Sequence, residues 1–484
     1  MRYLNFDLDL FNYQTTDGQE NFQVRVASSP AGEQRLLEAE TSPIPNNLRK
    51  RLSLLEKRAL DAAEMISLGS DLGGALFPSR ARLFLDRSRE RLDDDEGLRI
   101  RLKLDSYPLA DLPWEYAYLP DADTPAAQRA LEGFLVLDRR ISLVRYEILG
   151  QAPGQLDPLD TKMRLVALFS NPANPAYPSL NLASEQGNLE QVLTAVPQIT
   201  TSFYSDATVE TLLDAIIGGL HIFHFAGHGT FQGNMGANYG TIEGEGSIVL
   251  MGDDGQEVLF PSHKLAMNLK GKGVRLVVLG ACEGGRRDGV NAWTGIAPAL
   301  TRAGIPAVIG MQYKINDKNA VVFSRSFYRS LAAYQSIDEA MTAGRLAMLT
   351  CSADPNERDW GVPVLYLHAE EGVLFPEAQT EKSASQVAAS TSTTTTSSSQ
   401  PQRIDARTLR TLMIQAFSIA DLELLCADIE SLLKEDEISE QVNLEIVGGS
   451  SKTSIILNLI QYLDRRGQLP YLVKAVRSAR PGLI

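Results

Sequence analysis

The sequence predicts an α/β protein, with a mainly parallel sheet carrying helices on both faces, joined to a small all-α bundle at the C-terminus. Three observations carry this. Between residues 160 and 370, short and almost wholly apolar runs alternate with helical stretches, as expected of parallel strands buried on both faces. The Ser/Thr-rich stretch from Glu381 to Gln402 has almost no large side chain to bury, so it cannot offset the entropy of ordering itself. Beyond it, from Arg403 to Ile484, apolar residues recur at helical spacing.

The elements follow in order. Leu4–Tyr13 and Asn21–Ala27 alternate like a hairpin, Asn46–Leu68 reads as a helix, and Arg99–Leu104 and Leu135–Tyr146 read as strands. Next come a strand at Arg164–Ser170, a helix at Leu182–Val196, a strand at Ile199–Tyr204, a helix at Thr208–Ile217 and a strand at Leu220–Ala226. Ser247–Met251 and Glu257–Phe260 bracket Asp253-Asp254-Gly255, a hairpin signal. Val274–Gly280 is a strand, Asn291–Ala303 a helix and Pro306–Met311 a strand; two helical stretches lie between Lys318 and Leu349, and Val362–Leu367 closes the series. The C-terminal helices carry Leu409 to Phe417, Leu422 to Ile429, Ile455 to Leu463 and Leu469 to Arg480. The expected organisation is an N-terminal part (1–150) packing on the sheet, a core (151–378), a flexible linker (379–402) and a helical module (403–484).

Composition narrows the function. The 484 residues suit about three domains. With 44% apolar and 22% charged residues, the chain is neither wholly disordered nor collagen-like. Lys and Arg number 46 against 60 Asp and Glu, a net charge of −14, which argues against a dedicated nucleic-acid binder. Three scattered cysteines make no disulfide framework and suit a reducing compartment. The N-terminal stretch interrupts its apolar residues with acids, unlike a secretion signal, and no apolar run approaches the ~20 residues of a membrane span. A cytoplasmic protein with no membrane partner is expected.

In open α/β sheets, chemistry gathers at the carboxyl ends of the strands. Two predicted strands end in reactive groups. One leads through His221-Ile-Phe-His-Phe-Ala-Gly into His228-Gly229; the other leads through Leu276-Val-Val-Leu-Gly-Ala into Cys282-Glu283-Gly284-Gly285. If the strands are parallel neighbours, imidazole and thiol emerge on one edge. A thiol is mostly protonated at neutral pH, so a nearby imidazole is needed to take its proton and later return it to a leaving amine. The backbone N–H groups of Gly229 and Cys282 are the candidate oxyanion donors. Cys351 and Cys426 have no such partners in sequence and are expected to be inert packing residues.

Caspases place the catalytic histidine about 50 residues before a Q-A-C-x-G nucleophile motif. His228-Gly229 precedes Ala281-Cys282-Glu283-Gly284 by a comparable separation. The two motifs, His-Phe-Ala-Gly-His-Gly and Leu-Gly-Ala-Cys-Glu-Gly-Gly, resemble those of the CHAT family of bacterial caspase-like cysteine peptidases. So do Leu112-Pro-Trp-Glu-Tyr, Gly133-Phe-Leu-Val-Leu-Asp138 and the strand at Val362–Leu367. The resemblance implies a caspase–hemoglobinase-like sheet with His228 as general base and Cys282 as nucleophile. Gly280 stands where caspases have Gln, and Glu283 follows the cysteine in place of the familiar basic residue, so aspartate specificity does not carry over. The acids Glu283, Asp288, Glu243 and Glu245 are candidate substrate-pocket residues for a basic side chain. With that preference, Arg286 and Arg287 become candidate self-cleavage positions.

Other readings of these residues are weaker. His221 and His224 point to opposite faces of a strand, so with His228 they make no metal site, and His224 reads as a hydrogen-bonded residue near the strand end. Gly448-Gly-Ser-Ser-Lys452-Thr453 has Ser451 where a P-loop needs glycine, and Ser450 or Ser451 serves better as a helix cap. No cofactor or metal is expected. The C-terminal bundle resembles the death-like effector-associated domains of bacterial conflict proteins, through Leu412–Phe417, Asp421-Leu422 and Arg465-Arg466-Gly467 followed by Leu469–Pro481. That implies pairing with a sensor or ATPase bearing the same module. The expected function is a cysteine endopeptidase effector of defence or cell death acting on a protein substrate. The rivals are a catalytically inactive caspase-like scaffold and a small-molecule sensor.

Overall fold

A computed structural model describes residues 1–120, 129–147, 149, 153–154, 156–174, 180–235, 242–281 and 292–377. In the C-terminal part it describes 409, 412–413, 416–417, 419–435, 442–443, 452–464, 466 and 468–480. Two compact units result, Met1–Thr380 and Glu381–Ile484.

The first unit begins with β1 (Arg2–Thr16), β2 (Gln19–Ser28), β3 (Glu40–Pro43), α1 (Leu48–Glu56), α2 (Ala62–Leu76), α3 (Ser79–Arg89), β4 (Glu96–Leu104), α4 (Tyr107–Ala110), α5 (Arg129–Glu132) and β5 (Ile141–Arg145). It continues with β6 (Met163–Ser170), α6 (Leu182–Thr194), β7 (Ile199–Tyr204), α7 (Val209–Ile217), β8 (Ile222–Gly227), β9 (Gly229–Met235), β10 (Ile242–Met251), β11 (Glu257–Pro261) and α8 (Ser262–Leu269). Then follow β12 (Leu276–Ala281), α9 (Ala292–Arg302), β13 (Ala307–Met311), α10 (Asp317–Ala332), α11 (Ile337–Cys351) and β14 (Pro363–Leu367).

Among the described residues, eleven strands form one sheet in the order β3-β2-β1-β4-β5-β14-β13-β12-β8-β6-β7. Strands β7, β6, β8, β12 and β13 run parallel to their neighbours, and β14 returns antiparallel to β13. The sequence pattern explains the two covered faces. On β8, Phe223 and Phe225 pack with Leu212 of α7, Leu265 of α8 and Leu300 of α9, while Ile222 and Ala226 join the core that includes Leu189 of α6 and Phe327 of α10. Such fully buried side chains contribute about 1.5–3 kcal/mol each. The fold is α/β with a mainly parallel sheet, as the sequence predicts.

The N-terminal strands continue this sheet edge to edge, since β1 pairs parallel to β4, β4 to β5, and β5 to β14. The Pro113-Trp-Glu-Tyr segment ties them in. Trp114 is fully buried and donates to the Leu109 carbonyl at 2.7 Å, Glu115 accepts from Arg145 at 3.0 Å, and the Tyr116 hydroxyl donates to the Arg358 carbonyl at 2.9 Å. The predicted helix over Asn46–Leu68 is two helices. Arg58 has φ of +56°, and Asp61 starts α2 with a capping box to Glu64. Within Leu135–Tyr146 only β5 is a strand; Leu135–Leu137 is a 3-10 turn.

The second unit contains α12 (Ile419–Glu435), α13 (Lys452–Asp464) and α14 (Leu469–Ala479). Leu422, Leu425, Ile429, Ile456, Leu459, Leu472 and Val476 close a separate apolar core with Leu409, Met413 and Phe417. Cys426 lies in this core, and burial pushes its thiol up to about 11, away from reactivity. Cys351 differs from expectation: it is exposed at the end of α11, not packed. The linker and Ser450-Ser451 lie outside the described residues. Among the described residues, no helix is long and apolar enough to cross a membrane.

Candidate active site

Strands β6, β8 and β12 finish level with one another, because Ser170 pairs with Gly227 and Gly227 with Ala281. His228 is the next residue after Gly227, and Cys282 the next after Ala281. Two adjacent parallel strands therefore deliver the chain to these two positions at one edge, with strands about 4.8 Å apart. Gly227 is required for this closeness: a Cβ there would stand 2.7 Å from the Ser170 carbonyl oxygen.

His228 is fully buried, and its carbonyl accepts from the Val249 N–H at 2.9 Å. It sits at the joint between the large sheet and a three-stranded antiparallel sheet, β11-β10-β9. Gly229 opens β9 opposite Ile248. Phe231, two residues on, stacks on Tyr107 with ring centroids 6.0 Å apart. Cys282, Glu283, Arg286, Arg287 and Asp288 lie outside the described residues.

The other acids read from the sequence fall on β10, with Glu243 paired in register to Asn234 and Glu245 to Gln232. The Glu245 carboxylate is engaged at the start of α8. It contacts the His263 ring and accepts from the His263 N–H at 3.1 Å and from the Ser262 hydroxyl at 3.4 Å. Partial burial works against its charge, but these hydrogen bonds outweigh it and hold the carboxyl below its ordinary pKa.

Below the strand ends lies a cavity of about 230 Å³ between α6 and α10, reached by Gly280 of β12. Its lining includes His224, Tyr328, Glu185 and Asp317. His224 is hydrogen-bonded, as expected, through Nδ1 to the Tyr328 hydroxyl at 3.1 Å, and burial pushes its pKa down to about 4. The ring is therefore uncharged at neutral pH. His221 instead accepts at Nδ1 from the Arg164 N–H at 2.9 Å. Among the described residues, no group of three or more His, Cys, Asp or Glu could hold a metal ion.

Sequence reasoning missed Glu185 and Asp317. The available signal was positional: each lies in the first turn of the helix that follows a parallel strand, at the same carboxyl edge as His228.

The model of the CHAT domain family matches residues 68–416, and that of Effector-associated domain 7 matches residues 409–481. No curated protein sequence matches the chain. Similar solved structures include Porphyromonas gingivalis RgpB with its pro-domain, at 13% identity over 68% of this chain and 78% of that one, with a TM-score of 0.38. The Saccharomyces cerevisiae separase–securin complex is similar at 10% identity over 75% of this chain, with a TM-score of 0.42; this chain spans only 30% of that one. The Drosophila initiator caspase Dronc is similar at 7% identity over 48% of this chain and 98% of that one, with a TM-score of 0.27. With the CHAT match running through the parallel core and both strand ends, and the effector-associated domain 7 match confined to the C-terminal helices, the chain belongs to the CHAT domain family.

Proposed function

We propose that this protein is a cysteine endopeptidase effector, in which Cys282 attacks a peptide carbonyl and His228 handles the proton. The observation that carries this reading is the register of β8 against β12, which pairs Gly227 with Ala281, the residues that immediately precede the histidine and the cysteine. In the reaction, imidazole takes the thiol proton as sulfur bonds to the carbonyl carbon. The N–H groups of Gly229 and Cys282 hold the developing oxyanion. The imidazolium then protonates the leaving amine as the C–N bond breaks. Water, activated by the same ring, hydrolyses the thioester and restores the thiol.

Regulation belongs to the same reading. The burial of His228 supports a latent state that opens on recruitment. The effector-associated module supplies the recruiting contact with a sensor or ATPase carrying a like module, and the intervening linker raises the local concentration of the peptidase at that assembly. We place the protein in the cytoplasm, as an effector of bacterial defence or programmed cell death, with Arg286 and Arg287 as self-cleavage positions.

The test is a peptide-library cleavage profile of wild type beside Cys282→Ala, with and without the partner encoded next to it in the genome. Cleavage by wild type only, increased by the partner, is the expected result. Equal cleavage by both proteins, or an intact cellular effect in a folded Cys282→Ala chain, would remove the peptidase assignment.

A further inference from the structure

The cavity beside the β12 end has a lining that fits one kind of occupant. Its walls are apolar, including Phe323 and Phe327, whose rings stack with centroids 5.4 Å apart. Carboxylates reach it from two directions, Glu185 half-buried in the first turn of α6 and Asp317 exposed at the first residue of α10. Among the described lining residues the one ammonium is that of Lys314, which is exposed. His224 is 6% exposed, and its Nε2 has no hydrogen-bond partner among the described residues. With its pKa pushed down by burial, the ring brings polar character but no positive charge, and among the described lining residues the carboxylates outnumber the ammonium.

Gly280 connects this cavity to the proposed nucleophile. A Cβ at that position would stand 3.3 Å from Glu185 Oε1 and 3.3 Å from the Phe225 carbonyl oxygen, so glycine lets the strand and the α6 carboxylate approach without either having to give way. Cys282 is the second residue after Gly280 in the sequence, so the cavity lies beside the strand end from which the chain enters the proposed nucleophile.

We propose that the cavity receives the side chain of the residue on the carbonyl side of the scissile bond (P1) and selects arginine or lysine. The apolar walls take the methylene stem, and Glu185 and Asp317 meet the cationic head. An aspartate or glutamate at P1 brings a like charge against both carboxylates. A methionine fills the walls but brings no cationic head to the two carboxylates. The proposal rests on the peptidase reading above and names its substrate class.

The test uses the full chain in two arms. In the first, N-acetyl-arginine amide and N-acetyl-methionine amide are titrated against Cys282→Ala protein by calorimetry, alone and combined with Glu185→Gln or Asp317→Asn. The arginine derivative binds more tightly and loses about 30-fold or more in affinity with Glu185→Gln, the scale of removing one partner from a desolvated charge pair. The methionine derivative is unchanged. In the second arm, wild type meets peptides and chloromethyl ketones that differ only at P1, and cleavage or labelling of Cys282 follows the same order. Equal binding of the two derivatives, or unchanged arginine binding in both carboxylate variants with wild-type Tm, would overturn the pocket assignment. Cleavage after apolar residues would overturn it too, while leaving the peptidase standing. Selective arginine binding with no cleavage and no labelling of Cys282 by any peptide would instead sink the peptidase reading, and the P1 role with it.

Discussion

At the residue scale, the structure separates histidines that look alike in sequence. His224 and His228 both fall at a strand end, but His224 is an uncharged, hydrogen-bonded residue of the cavity lining, with its pKa moved from the ordinary 6.5 to about 4 by burial. Between those values the unfolded chain binds a proton that the folded one refuses, so stability falls as pH drops from about 7 towards 4. A displacement of this size corresponds to about 3 kcal/mol. His221, lowered by burial and then by Arg275 and Arg164, adds to the same slope, so the readout is the difference between variants. Urea midpoints measured across this range are expected to slope less in His224→Gln than in wild type; parallel slopes would show that His224 titrates normally. His228 was legible because a glycine follows it at a strand end and a distant cysteine has a similar setting. Glu185 was not, because a glutamate in the first turn of a helix is indistinguishable in sequence from an ordinary capping acid.

At the element scale, local chemistry explains most of what the sequence reading found. Thr208 caps α7 by accepting from the Thr211 N–H at 3.1 Å. The hairpin between β10 and β11 turns at Gly255, with φ of +77°. Strand β9 escaped notice because Gly-Thr-Phe-Gln-Gly-Asn-Met has no apolar alternation, and its pairing with β10 is a matter of backbone. The break between α1 and α2 was present as Asp61 and Glu64, a capping signal inside an otherwise helical pattern. For the proposed chemistry, the feature that matters most is the level finish of β6, β8 and β12. Gly227→Ala places a methyl carbon against the Ser170 carbonyl, and the strand end must move, carrying His228 with it. Peptide cleavage is expected to fall by about tenfold or more, the scale at which small misplacements cost rate. Full activity in this variant would mean that the strand ends tolerate separation.

At the scale of the whole molecule, buried ion pairs bind segments that are far apart in the chain. Arg99 of β4 donates to Asp338 of α11 at 2.9 Å, with both side chains at most 1% exposed. Burial opposes the charge on Arg99, but Asp338 outweighs it and holds the guanidinium pKa above its ordinary value. Asp338→Asn leaves a buried cation without its counter-charge, and a loss of about 3–5 kcal/mol is expected in chemical denaturation. A loss below about 1 kcal/mol would mean that water or the Glu370 carbonyl already compensates Arg99. This pair ties the N-terminal strands to the core with which they share one sheet and one interior, while the buried Arg145–Glu115 pair holds the N-terminal part together within itself.

By itself the sequence determined the alternation of apolar strands and amphipathic helices, the change to an all-helical grammar after the Ser/Thr-rich stretch, and two motifs of family character at His228 and Cys282. Those properties are written in nearest-neighbour spacing, where side-chain periodicity and capping act. Only the tertiary structure decided that β8 and β12 are parallel neighbours in a shared register, that the first 150 residues extend the same sheet, and that Glu185 and Asp317 line one cavity with Gly280. These depend on pairings between residues tens to hundreds of positions apart, and no local pattern encodes which distant strand lies alongside.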